Sequence, residues 1–473
     1  MKAASSNNTP AWLSLDRDAG DLEGQVYRGI RDRILSGQIG PGHRVPSTRA
    51  LASSLGIARS TVVGAYERLK ADGFLEAATG SGCRVAALSM SAVTPPRERP
   101  ASASAAAPQS HPMMLEPGVP DLEDFPRGTW ARYLGGRARN MRVLELGYGE
   151  AGGVANLREA IVEHLSAIRG VIAHPDQVVI LPSTRTAIDL LAFLQLRASG
   201  NSVAWVEEPG YASAKALLTT AGARIVPVPC DEAGIDVTRA EGPPPGLIYV
   251  TPSHQYPTGA TMSLQRRLAL LELAHKSGAL ILEDDYDSDF QYGSRPIAAL
   301  QGIDRHATVA YLGTFSKILA PGIRVAYAVL PRWLLPQAVE TLRLRGIAVP
   351  VHIQAALADF IRDGRLRAYL RQRNTRYAER MHATREALSN RCGHLLSLES
   401  GSGGLQLASW FHDQSTDDTA VVRKLHEKGI APQAMSRFFE GRPRPGLLFG
   451  IARSLPENAE KLAQTIADVL ARE

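Results

Sequence analysis

The chain has 473 residues, 44% hydrophobic and 21% charged, with a formal net charge of +6. That describes a soluble globular chain with room for two or three domains. Its three cysteines, Cys83, Cys230 and Cys392, lie far apart with no CxxC or Cys/His ligand spacing, so neither a disulfide framework nor a metal site is expected, and a reducing cytoplasm is.

The N-terminal stretch MKAASSNNTPAWLSLDRDAG has no apolar run after its lysine, and no later stretch reaches about 18 uninterrupted apolar residues. Neither an export signal nor a membrane span is expected.

The first folded segment is expected over residues 20–88. Between Gly24 and Leu88, nine basic residues (Arg28, Arg31, Arg33, Arg44, Arg49, Arg59, Arg68, Lys70, Arg84) face four acidic ones (Asp32, Glu67, Asp72, Glu76). A surplus of +5 on so small a module suits a phosphate backbone.

In GQVYRGIRDRILSG, Val26, Ile30 and Ile34 recur every four positions. In STRALASSLG, Leu51 and Leu55 do the same and Gly56 stops the helix. ARSTVVGAYERLKADG puts Val62, Tyr66 and Leu69 on one face, and FLEAATGSGCRVA reads as strand, Gly80/Gly82 turn and strand. Two helices joined by a tight turn and followed by a hairpin form a winged helix-turn-helix, with a helical docking hairpin as the competing reading.

The order of these elements in GQIGPGHRVPSTRALASSLGIARSTVVGAYERLKADGFLEAATGSGCRV resembles the winged heads of the GntR superfamily. The resemblance implies that Arg44, Ser47 and Arg49 approach phosphates or base edges of double-stranded DNA. It also implies that Arg59, Ser60 and Thr61 begin the recognition helix and that Gly82 lets the wing tip lie close to the backbone.

A composition break follows. Of the 27 residues from 86 to 112, 18 are Ala, Ser or Pro, and residues 89–112 read as a linker spanning roughly 30 Å as a flexible coil.

The remainder, residues 113–473, alternates short apolar runs such as QVVILP, SVAWVEEPGY, LIYVTP, GALILEDDYD and ATVAYLGTFSK with helical stretches. This predicts an α/β domain with a mostly parallel sheet and ligands at the carboxyl ends of its strands. In LILEDDYD, period two sends Asp284 and Tyr286 to one face and Asp285 to the other.

In LGTFSKILAPGIR, Lys317 stands among Thr314, Ser316 and Arg324. A lysine that condenses with an aldehyde, an anion cup beside it and a carboxylate for a ring nitrogen together suit pyridoxal 5'-phosphate.

The ordered motifs LGYGEAGGVANLREAI, LPSTRTAIDLL, EEPGYASA, HQYPTGATM, LEDDYDSDF and GTFSKILAPGIRVAY resemble fold type I pyridoxal-phosphate proteins of the aspartate aminotransferase class. The resemblance implies that Lys317 joins the cofactor as a Schiff base, Asp284 holds its ring nitrogen and Tyr286 its ring hydroxyl. It further implies that Tyr211 stacks on the ring, Ser183 and Thr184 present N–H groups to the phosphate, and Tyr148 reaches that phosphate from a neighbouring subunit.

Three departures stand out: Tyr256 where the class has Asn, Ser183 where it has Gly, and Leu448 where it has the arginine that clamps a substrate carboxylate, with Arg444 and Arg453 flanking but off register.

Head, linker and tail in this order resemble the MocR/GabR family of bacterial transcription regulators. That resemblance implies a head-to-tail homodimer, an operator with spaced half-sites and a small-molecule effector. The missing clamp at Leu448 argues against a simple α-amino acid and favours pyridoxal phosphate itself, or an amine or sulfonate. An active aminotransferase carrying a DNA-binding head is the alternative.

Overall fold

The structure, a computed structural model, describes residues 13–77, 82–87, 113–292, 298–400 and 403–471. The linker 89–112 and the wing tip at residues 78–81 lie outside them. The chain divides into two compact units, residues 1–108 and 109–473.

The first unit contains three helices, α1 (Leu22–Leu35), α2 (Thr48–Leu55) and α3 (Arg59–Ala71). They cover a small antiparallel sheet of β1 (Arg44–Val45), β2 (Leu75–Ala77) and β3 (Cys83–Val85) in the order β1-β3-β2.

The four-residue spacing read in the first helix buries Val26, Ile30 and Ile34 against Leu51, Val62, Tyr66, Leu69, Leu75 and Val85, while Leu55 packs partly buried at the edge. Gly56 caps α2 at φ 61°, a left-handed conformation that glycine adopts without strain. Tyr66 donates to the Pro46 carbonyl at 2.8 Å, tying α3 to the strand that precedes α2. That strand, β1, has too few residues to show an alternation and exists only because Arg44 and Val45 pair with Arg84 and Cys83.

The second unit is built on an eight-stranded sheet. Its strands are β4 (Val178–Leu181), β5 (Val203–Glu208), β6 (Arg224–Asp231), β7 (Gly234–Ile235), β8 (Leu247–Val250), β9 (Leu280–Asp285), β10 (Val309–Thr314) and β11 (Ala326–Val329), in the order β4-β11-β10-β9-β8-β5-β6-β7. Strands β10, β9, β8, β5 and β6 run parallel, while β11 is antiparallel to both neighbours and β7 to β6.

Alternate residues feed opposite cores. Val178 and Ile180 of β4 join one cluster and Val179 and Leu181 the other, so helices must cover both faces of the sheet.

A smaller antiparallel sheet follows, made of β12 (Leu396–Leu398), β13 (Gln406–Phe411), β14 (Gln433–Ala434) and β15 (Gly446–Gly450) in the order β12-β13-β15-β14.

Candidate functional site

In the first unit, Arg44, Arg49, Arg59 and Ser60 are exposed and Thr61 is half-buried. Among the described residues the three arginines make no ion pair. Arg59 opens α3, whose N-cap, Ala58, offers no side-chain hydrogen bond, so the first N–H groups of this helix are left for an external acceptor. Ser47 instead caps α2, its hydroxyl accepting from the Ala50 N–H at 3.2 Å. Gly82 is exposed with φ 144°.

In the second unit the carboxyl ends of β4, β5, β8, β9 and β10 meet at one edge of the sheet, and the amino end of the antiparallel β11 meets them there. A cavity of ≈ 430 Å³ opens at that edge. It brings together Lys317, Asp284, Tyr286, Tyr211, Ser183, Thr184, Thr314, Ser316, Arg324 and Tyr256. Tyr148 is fully exposed and does not line this cavity in its own chain. Arg444, with its guanidinium 4.4 Å from the Trp410 ring centroid, and Arg453, which donates to the Met113 carbonyl at 3.1 Å, do not line the cavity either. Neither supplies a side chain to the cavity in place of the arginine that Leu448 replaces.

Each side chain is positioned by the strand end that carries it. Asp284 is the penultimate residue of β9. It accepts from the Tyr249 hydroxyl at 2.7 Å through Oδ2, while its Oδ1 is buried without a partner among the described residues. Burial pushes its carboxyl up to about 6.

Asp285, one residue on, faces the other way as period two requires and meets Arg169 at 2.9 Å and the Tyr311 hydroxyl at 2.5 Å. Burial opposes its ionisation, yet Arg169 and Tyr311 bring it below the ordinary carboxylate range.

Thr314 ends β10 and caps the short helix Phe315–Ile318, its hydroxyl accepting from the Ser316 N–H at 3.1 Å. Lys317 lies on that helix and donates through Nζ to the carbonyl of Gly118. Burial lowers the lysine's pKa, partly offset by Asp287 and Asp284. Ser183 caps the helix Thr184–Ser199, accepting from the Thr186 N–H at 3.1 Å. Arg324 sits at φ 55°, a strained conformation for a residue with a Cβ.

Tyr256 packs edge-on against Tyr211, Tyr286 and Phe438, with ring centroids 5.3, 5.8 and 5.3 Å apart.

Several residues of this cavity are not legible in the motifs. Arg185 donates to the Tyr211 hydroxyl at 3.2 Å and to Ser213 at 3.3 Å. A cation in a helix's first turn opposes the helix dipole, and that is the signal the sequence offers for it. Pro117, Gly118, Tyr249, Thr251, Gln406, Gln433, Arg437 and Phe438 also line the cavity, arriving from distant parts of the chain.

An amine of lowered basicity, a buried carboxylate with one free oxygen, hydroxyls at two helix starts and two arginines can hold a phosphorylated aromatic aldehyde with a basic ring nitrogen. The unpartnered Oδ1 of Asp284 fits the ring N–H of pyridoxal 5'-phosphate. Among the described residues no group of three or more His, Cys, Asp or Glu could hold a metal ion.

Residues 138–448 match the family described as Aminotransferase class I and II, and residues 22–85 match Bacterial regulatory proteins, gntR family. The fold matches the kynurenine aminotransferase of Pyrococcus horikoshii with a TM-score of 0.69 at 22% identity, over 77% of this chain and 92% of that one. It also matches LysN, the alpha-aminoadipate aminotransferase of Thermus thermophilus, with a TM-score of 0.68 at 25% identity, over 76% and 92%. The chain thus joins a GntR-type DNA-binding head to a domain of the aminotransferase class I and II fold, whose members bind pyridoxal phosphate.

It is 36% identical over 457 residues to the "Probable rhizopine catabolism regulatory protein MocR" of Rhizobium meliloti, covering 93% of this chain and 92% of that protein. It is 30% identical over 451 residues to the "HTH-type pyridoxine biosynthesis transcriptional regulator PdxR" of Corynebacterium glutamicum, covering 94% and 95%. The chain belongs to the MocR family of transcriptional regulators.

Proposed function

We propose that the tail, residues 113–473, holds pyridoxal 5'-phosphate as part of a sensor for a small amine-containing effector, and that its state sets the affinity of the head, residues 20–88, for double-stranded DNA. The observation that carries this reading is Asp284, a buried carboxylate with Oδ2 on Tyr249 and Oδ1 free, in the cavity that holds Lys317.

When bound, the cofactor supplies an aldehyde for an amine to condense with and a ring that draws electrons from it. Asp284 would keep the proton on the ring nitrogen, with Tyr249 fixing the carboxylate's orientation. Ser183, Thr184, Thr314, Ser316 and Arg324 would hold the phosphate. Tyr211 would pack on the ring and Tyr286 would donate to its hydroxyl. Tyr256, where the class has Asn, brings an aromatic ring in place of an amide donor. Lys317, its pKa lowered by burial, reaches its uncharged nucleophilic form more readily than a solvated lysine does.

Coupling to the head has a material route. The Gly118 carbonyl that receives Lys317 belongs to a segment that begins at Met113, bridges to Ile430 through Met114, and follows directly on linker residues 89–112. That hydrogen bond belongs to Lys317 with its amine free, so a ligand that engages the Nζ would remove it and one that leaves the Nζ free would keep it, biasing the segment, and two sites so linked affect one another by the same factor.

The tails pair head-to-tail as a homodimer. Val143 and Leu144 are 85% and 88% exposed, Leu146 and Tyr148 are exposed beside them, and apolar side chains so placed favour burial against a second copy. Tyr148 then completes the partner's phosphate site, two heads engage spaced half-sites of an operator, and the protein works in the cytoplasm where its DNA is.

An active aminotransferase is the second reading, supported by the lysine and aspartate pair and opposed by Leu448, which cannot clamp a carboxylate. Titration of the intact protein on its upstream DNA, with and without pyridoxal 5'-phosphate, tests the choice. A change in affinity or footprint supports the regulator. No DNA binding, together with turnover of amino and keto acids, would overturn it.

A further inference from the structure

The position taken by Leu448 has neighbours that define what the cavity can recognise. In the small sheet Leu448 of β15 pairs directly with Ala408 of β13 on one side and with Gln433 of β14 on the other, and Gln406 pairs with Gly450. Directly opposed residues of an antiparallel ladder share a face, and alternation puts Gln406, Ala408 and Trp410 on that same face.

Leu448 itself is fully buried among Ala408, Trp410, Met435 and Phe438. On this face Gln406 and Gln433 line the Lys317 cavity, and Leu448 does not. The Oε1 of Gln406 is buried with no hydrogen-bond partner among the described residues, an arrangement that costs free energy until a ligand supplies a donor.

A carboxylate suits this end of the cavity poorly. It can accept from the amide N–H groups, which rotation of each amide can turn toward it, but neutral amides do not offset its charge, and none of the arginines lining the cavity is buried. Arg437 also lines the cavity and its charge reaches Tyr256, but it is exposed, its guanidinium lies 5.7 Å from the Phe438 ring centroid, and it lines a neighbouring surface cavity as well, so a carboxylate paired with it would make a solvated contact, weaker than the clamp that Leu448 replaces. A hydroxyl or a carboxamide both donates and accepts, and satisfies either orientation of a glutamine amide.

Resting on the sensor reading above, we propose that Gln406 and Gln433 form the distal recognition subsite for the effector. The effector is then an amine whose far end is a neutral hydroxyl or carboxamide rather than a carboxylate.

The test uses full-length protein loaded with pyridoxal 5'-phosphate and three probes with one carbon skeleton, alanine, alaninol and alaninamide, with affinities measured by calorimetry. Alaninol and alaninamide should bind about tenfold more tightly than alanine or better, since a site built to hydrogen-bond a group rejects the analogue that mismatches it. Gln406→Leu and, separately, Gln433→Ala should remove most of that preference, with melting curves checking the fold.

Alanine binding as tightly as alaninol in the wild type would overturn the proposal. So would loss of alanine binding in Arg437→Ala with both glutamine variants unaffected, which would assign the distal end to Arg437 and a carboxylate. The order of the wild-type affinities needs no variant to fold. Cofactor absorbance and DNA binding are recorded separately, and their absence counts against the sensor reading rather than against the amide subsite.

Discussion

The Nζ of Lys317 donates to the backbone carbonyl of Gly118, 199 residues earlier in the chain. Gly118 holds φ +80°, and a Cβ there would stand 3.1 Å from that nitrogen. Gly118→Ala is therefore expected to strain the backbone and push on Lys317 at once, costing roughly 1–2 kcal/mol of stability. Cofactor affinity should fall with it. Thermal melting and a cofactor titration check this, and wild-type values in both would show that the segment does not press on the lysine.

The lysine and the aspartate carry different parts of cofactor binding. Purified protein loaded with pyridoxal 5'-phosphate should absorb in the visible, and Lys317→Ala should lose that band while melting normally. Asp284→Asn should keep the covalent attachment but weaken the cofactor by about tenfold or more, because an amide cannot compensate the ring's positive charge. Unchanged spectra in Lys317→Ala would remove the lysine from this role.

The head is expected to read DNA chiefly through charge at three exposed arginines. Arg44→Ala, Arg49→Ala and Arg59→Ala should each weaken binding, and a variant whose arginine neutralises a phosphate should have a salt slope smaller by about 1. Fluorescence anisotropy across a salt series measures both quantities. A variant that binds one sequence less tightly, with its slope intact, would mark an arginine that reads a base instead.

Glu207 gives a pH-dependent prediction. It is fully buried on β5, accepts from the Thr251 hydroxyl at 2.6 Å, leaves Oε1 unpartnered, and burial pushes its carboxyl up from 4.5 to about 7, with Asp284 adding to the rise. A group whose pKa is raised on folding stabilises the fold fully below its unfolded value, and that contribution is lost as pH rises through the folded value. Glu207→Gln removes the loss. Its melting temperature relative to wild type should therefore climb from about pH 5 to about pH 8, by a few degrees. A difference that stays flat across that range would show that Glu207 is ionised in the fold throughout.

The 3-10 helix Val143–Leu146 has no buried residue of its own. If it is covered by a second copy, Leu144→Asp should raise the dimer dissociation constant by about tenfold or more, because a charge would be buried in an apolar interface. Sedimentation velocity measures this. A wild-type protein that is monomeric at working concentration would remove the dimer from the mechanism.

How much can be read from sequence differs between the two halves of each site. Signals carried within a few residues are legible. The four-residue spacing of Val26, Ile30 and Ile34 marks a helix face, Gly56 marks a helix end, and period two separates Asp284 from Asp285 before any fold is known. The grouping of Thr314, Ser316, Lys317 and Arg324 is likewise local, since a strand end, one helical turn and a Pro-Gly turn hold them together whatever surrounds them.

What only the tertiary structure decided are relationships across strands and crossovers. Strand β1 forms because β3 pairs with it some forty residues later. Tyr249 meets Asp284 because β8 and β9 are neighbours, and Gly118 meets Lys317 because the start of the tail folds back over the strand ends. Leu448 could be noticed as a missing arginine, but its burial, and the two glutamines beside it that line the cavity, depend on the register of three short strands. Backbone dihedrals and side-chain periodicity are local properties of the chain. Register and crossover order are settled by burying both faces of a sheet at once, which no short window of residues contains.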